Sequence, residues 1–162
     1  MMRRPVLYAA VLAIVCGLPG VSRADALDDK LRPLISEQYA AEFMQKSLKG
    51  IHYLNCDGVP CRRTDEFELF NPPVSTADTR QILVYAIKGA LAWWCGLDEG
   101  RGTVALGEFL QERDFNARQT ALASAMHGTF MRMQKAVFDT SGKTCQAETK
   151  AELDEALPNG VK

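Results

Sequence analysis

Histidine is scarce in this chain of 162 residues, which has two, His52 and His127. With so few imidazoles, and no identifiable carboxylate set beside them, a zinc site of four protein ligands has nothing to be built from. The closest cysteine pair, in Cys56-Asp57-Gly58-Val59-Pro60-Cys61, has four intervening residues. That is not the Cys-x-x-Cys spacing of thiol oxidoreductases, so nothing points to a depressed thiol pKa. No Gly-x-Ser-x-Gly elbow occurs, and Ser124 with His127, three apart, has no orienting acid. Gly100-Arg101-Gly102 lacks the preceding strand and the third glycine of a phosphate-binding loop. Positive charge is not in excess either, with 19 basic against 20 acidic residues. Internal repeats and low-complexity tracts are absent. No family motif can be placed on numbered residues.

What is present begins with an export pattern. Arg3 and Arg4 precede an apolar run at 6–18, and Ser22-Arg23-Ala24 offers small residues at the −3 and −1 positions of a cleavage site, with Ala26 as a second choice. This is the three-part arrangement of a secretory signal peptide, and the run is short for a membrane anchor. Cys16 follows Val15, where a lipid-attachment site needs a small residue. Residues 1–24 are therefore expected to be a cleaved signal and 25–162 a single helical domain. Cleavage removes three arginines and no acid, taking the formal charge from −1 to −4. That balance argues against nucleic acid and against a polybasic membrane contact. Cleavage also takes Cys16 away and leaves four cysteines. In an exported chain they read as two disulfides. Of three possible pairings, Cys56–Cys61 and Cys95–Cys145 are preferred: one closes a short loop and the other ties a central helix to the C-terminal region.

That central helix is the strongest local signal. Residues 75–96 carry Ser75 or Thr76 as a cap, Asp78 in the first turn and Gly96 as a stop. Between Ile82 and Cys95 the one charge is Lys88. Apolar residues run almost all round such a helix, which buries it among others, and the stretch is too short to span a bilayer. Apolar spacing predicts two more long helices, over 27–48 and 115–138, and short ones over 103–113 and 147–157. Pro33 is expected in the first turn of the 27–48 helix. Segment 51–74 breaks the pattern. Asp57-Gly58 is a turn signal, 66–69 alternates like a strand, and Asn71-Pro72-Pro73 interrupts the chain. The expected architecture is an all-α, disulfide-stapled bundle of three long and two short helices, with an irregular, hairpin-containing insertion at 51–74.

Candidate chemistry is thin. His127 and Met131 share a helix face and would suit copper(I), although Met126 and Met133 align with Phe130 as ordinary core. Glu108 and Glu112 form an i, i+4 carboxylate pair that could do acid–base work if one were desolvated. Arg62, Arg63 and Phe67 lie in the irregular segment, where a loop on a scaffold can carry function. The adjacent Trp93 and Trp94 point about 100° apart, so one is available to a groove or an interface. The reading expected from these residues is an exported periplasmic protein that binds another periplasmic or envelope protein without catalysis, as inhibitor, immunity protein, chaperone or assembly factor. Its expected binding residues are Arg62, Arg63, Phe67, Trp93 and Trp94, and no cofactor is expected. The alternatives are a small enzyme acting on envelope material and a copper(I)-handling protein.

Overall fold

The computed structural model describes residues 23–159. The expected signal peptide falls almost wholly before them, so it lies outside the described residues. Seven α-helices are present among the described residues: α1 (Arg23–Leu31), α2 (Glu37–Lys49), α3 (Glu66–Phe70), α4 (Thr76–Trp94), α5 (Gly100–Glu112), α6 (Ala117–Thr140) and α7 (Ala147–Ala156). A two-stranded ladder, β1 (Asn55–Cys56) and β2 (Val59–Pro60), accompanies two short 3-10 turns. The chain is all-α, as its periodicity predicts.

Helix α4 is the axis of the bundle, and α2, α5 and α6 pack around it. The Ser75 hydroxyl accepts from the Asp78 amide at 3.0 Å and caps its start. Gly96, at φ +69°, ends it with the Leu97 amide reaching back to the Ala92 carbonyl and its own amide to that of Trp93. This is the glycine-terminated geometry that satisfies otherwise orphaned carbonyls. Lys88 is 3 % exposed, yet its ammonium meets the Asp28 carboxylate of α1 and lies 5.5 Å from the Tyr85 ring centroid. The second Asp28 oxygen accepts from Gln81 at 2.8 Å. A charge in the centre of an apolar helix is thus matched by one on the helix it packs against, as burial requires.

Three expectations about local structure are corrected. The single helix expected over 27–48 is two helices. Pro33 removes a backbone donor and crowds the preceding turn, and Ile35 turns extended. Ser36 then caps a fresh start by accepting from the Tyr39 amide at 3.1 Å. The strand-like stretch at 66–69 is α3, a helix of 5 residues. Its first turn is fixed by Asp65, whose carboxylate accepts from the Glu68 amide at 2.9 Å. The bundle therefore has more and shorter helices than three long and two short. Helix α5 also begins three residues earlier than expected, at Gly100. The glycines there serve packing: a Cβ on Gly102 would sit 2.7 Å from the Gly89 Cα of α4. Helix α6 starts with a capping box between Asn116 and Gln119.

Both disulfides form as expected, Cys56–Cys61 and Cys95–Cys145. The second joins the end of α4 to the segment entering α7. Helix α7 is further held by Arg101, which is buried and donates to the carbonyls of Asp154, Leu157 and Pro158 while pairing with the Asp154 carboxylate. No helix among the described residues is long and apolar enough to cross a membrane.

Candidate functional site

Segment 51–74 is irregular but firmly attached. Asp57 and Gly58 take positive φ, +53° and +85°, and form the tight turn between β1 and β2. The Cys56–Cys61 bond closes the base of that turn. The Cys61 amide donates to the Leu54 carbonyl at 2.9 Å, and the Thr64 hydroxyl donates to the Leu48 carbonyl at the end of α2 at 2.6 Å. Helix α3 is clamped from two sides. Arg118 of α6 donates to both Glu68 carboxylate oxygens, at 2.8 and 2.7 Å, and to the Arg62 carbonyl at 2.6 Å. Gln45 of α2 donates to the Leu69 carbonyl at 3.2 Å. Gln119 donates to the Pro73 carbonyl at 2.7 Å. A bidentate arginine–carboxylate pair at a part-buried site fixes orientation as well as adding energy.

This anchored segment carries most of the large apolar side chains that solvent reaches. Tyr53 is 84 % exposed, Val59 60 %, Phe67 72 % and Phe70 85 %. Phe67 and Phe70 are three residues apart and share a face of α3. The His52 ring packs on that of Tyr53 with centroids 4.0 Å apart. Of these residues, sequence reasoning singled out Phe67 and missed Tyr53, Val59 and Phe70. The available signal was a run of apolar residues in a segment without helical period, where no buried face exists to receive them all.

The two arginines expected here differ in role. Arg62, although exposed, is engaged within the segment, pairing with Asp65 at 2.7 Å and with Glu68 at 3.0 Å. Its hydrogen bond to Asp65 and the nearby Glu68 charge raise its pKa, and the Asp65 carboxyl is held below its usual value, first by the Glu68 amide and then by Arg62. Arg63 is exposed and makes no ion pair among the described residues. It shares with Lys49, His52, Thr64 and Leu69 a shallow pocket of about 170 Å³. A separate open cleft of about 710 Å³ is walled by Leu54, Asn55 and Asp57 and by Phe115, Ala121 and Ser124.

The tryptophans lie elsewhere. Trp93 and Trp94 close the C-terminal end of α4, whereas segment 51–74 leads into its N-terminal end. At 1.5 Å per residue, roughly 27 Å of helix separates the two groups. Trp94 stacks on Phe138 with centroids 5.3 Å apart and packs against the core. Trp93 is half-buried beneath the Lys135 ammonium, which lies 5.0 Å from its ring and pairs with Glu99.

The remaining candidates are also dispersed. Glu108 and Glu112 sit exposed on α5. His127 is 3 % exposed and donates to the Tyr85 carbonyl, while its Nε2 has no partner. Burial in the helix contact lowers its pKa below the usual 6.5. Met131, one turn on, packs over the Gly89 face of α4: a Cβ placed there would be 2.9 Å from its sulfur. Met126 is fully buried core, and Met133 is 36 % exposed. Among the described residues no group of three or more histidine, cysteine, aspartate and glutamate side chains could hold a metal ion.

No protein-family model matches the chain, and neither a curated protein nor a solved structure matches it.

Proposed function

We propose that the chain is an exported periplasmic protein that works without catalysis, by binding another protein through the face built by residues 51–74. The observation that carries this reading is the set of exposed apolar side chains, Tyr53, Val59, Phe67 and Phe70, on backbone held by a disulfide, Arg118, Gln119 and Gln45. Solvent exposure of large aromatic rings in one short segment is costly for an isolated protein and typical of a contact surface. Anchoring the backbone beforehand lowers the ordering cost of association. Two disulfides suit an oxidising compartment such as the periplasm. Inhibitor, immunity protein, chaperone and assembly factor all use such a surface.

The test is a photo-crosslinking residue placed at Phe70, with a second at the exposed Glu108 of α5 as control, in cells that make the protein. The reading predicts a discrete crosslinked polypeptide from position 70 and none from position 108. It also predicts that Phe67→Ala abolishes the crosslink while the melting temperature is kept. Equal crosslinking from both positions, or none from position 70, contradicts it.

A further inference from the structure

The charges around the exposed aromatic face are unevenly satisfied. Asp65 and Glu68 are taken up by Arg62 and Arg118. Glu66 is exposed, and it does not line the pocket beside α3. That pocket is lined by Lys49, His52, Arg63, Thr64 and Leu69, two cationic residues among them. No carboxylate lines it, and neither Lys49 nor Arg63 makes an ion pair among the described residues. It borders the exposed aromatic residues: the His52 and Tyr53 ring centroids lie 4.0 Å apart, and Leu69 precedes Phe70. The Thr64–Leu48 and Gln45–Leu69 hydrogen bonds join those walls to α2.

We propose that this pocket receives an acidic side chain from the bound protein, so that the partner's contact segment carries an aspartate or glutamate beside apolar residues that cover Phe67 and Phe70. This rests on the protein-binding reading and specifies the chemistry of its partner. Arginine supplies a planar fork that matches a carboxylate, lysine adds a second charge, and the aromatic rim excludes water from the pair. An anionic lipid surface would also meet cations and aromatics. The concave pocket suits a single side chain better, and α3, at 5 residues, gives no amphipathic helix to lie in a bilayer interface.

The experiment uses the polypeptide crosslinked at position 70, identified by sequencing its crosslinked peptide and then purified. Its affinity is measured for the native chain and for Lys49→Glu, Arg63→Glu and the milder Arg63→Gln, each checked for an unchanged melting temperature. Charge reversal is expected to weaken binding by roughly tenfold or more, because like charges brought together across an interface are strongly penalised. Reversing one acidic residue of the crosslinked peptide to lysine should restore affinity to Arg63→Glu. If the partner binds all three variants as tightly as the native chain, the acidic-segment proposal falls and the protein-binding reading stands. If position 70 crosslinks no polypeptide, both fall. Should the native chain instead bind vesicles of phosphatidylglycerol, and Arg63→Glu release it, a membrane surface replaces the acidic protein segment. Crosslinking to a second copy of this chain, with no other polypeptide, overturns the proposal in favour of self-association.

Discussion

At the scale of single residues, the tightest constraint is the crossing of α4 and α5. A Cβ at Gly102 would lie 2.7 Å from the Gly89 Cα and 2.9 Å from its nitrogen, and backbone on both sides cannot step aside as a side chain can. Gly102→Ala should therefore destabilise the chain by about 1–3 kcal/mol, the range for overpacking. Gly107→Ala, on the same helix and with nothing within 4 Å, should stabilise it by up to about 1 kcal/mol. Urea midpoints of the pair check both signs. His127 gives a prediction in pH. Its buried ring takes up a proton less readily than an unfolded histidine near 6.5. As pH falls below that value, the unfolded chain binds a proton that the folded chain does not, so stability present at neutral pH is lost. His127→Leu removes this dependence. The native chain should lose stability relative to that variant between about pH 7 and about pH 5, and a difference that stays constant over this range contradicts the assignment. Neither close contact was legible in the sequence. Gly100-Arg101-Gly102 looks like a turn because glycine and arginine carry no apolar period, yet Arg101 is buried by its bonds to the end of α7.

At the scale of elements, α4, α6 and both disulfides could be read directly, because caps, period and cysteine parity all agree there. The failures came where a short pattern fits two structures. Alternation over 66–69 also fits one helical turn, and the Asp65 cap with the Arg118–Glu68 clamp decides for the helix. The apolar spacing of Leu31, Leu34 and Ile35 runs through Pro33 without a break, although the helix does not. The staples differ in reach: Cys95 and Cys145 are 50 residues apart, Cys56 and Cys61 five. On a chain-entropy basis their loss costs about 4 and about 2 kcal/mol respectively. Alanine at both Cys95 and Cys145 should therefore lower the urea midpoint more than alanine at both Cys56 and Cys61. The second variant should lose partner binding although its stability loss is smaller. The reverse order of stabilities would mean that the long staple restrains little.

At the scale of the whole molecule, helices stapled and salt-bridged around α4 carry one anchored, irregular segment with its aromatic side chains in solvent. Fold class was legible because all-round apolarity of α4 demands other helices. The proposed contact surface was legible only in part, since Phe67 and Arg63 fall in segment 51–74 while Trp93 and Trp94 lie at the other end of α4. Adjacent tryptophans signal a contact, but sequence gives no means of seeing Phe138 and Lys135 supply it from within. The most direct measurement is a native mass spectrum of the protein recovered gently from its own cell envelope, for the native chain and for a variant with alanine at both Phe67 and Phe70. The prediction is a stoichiometric second polypeptide on the native chain and its loss from the variant, with both proteins folded. A second polypeptide retained by the variant, or a native chain found alone, would contradict binding through residues 51–74.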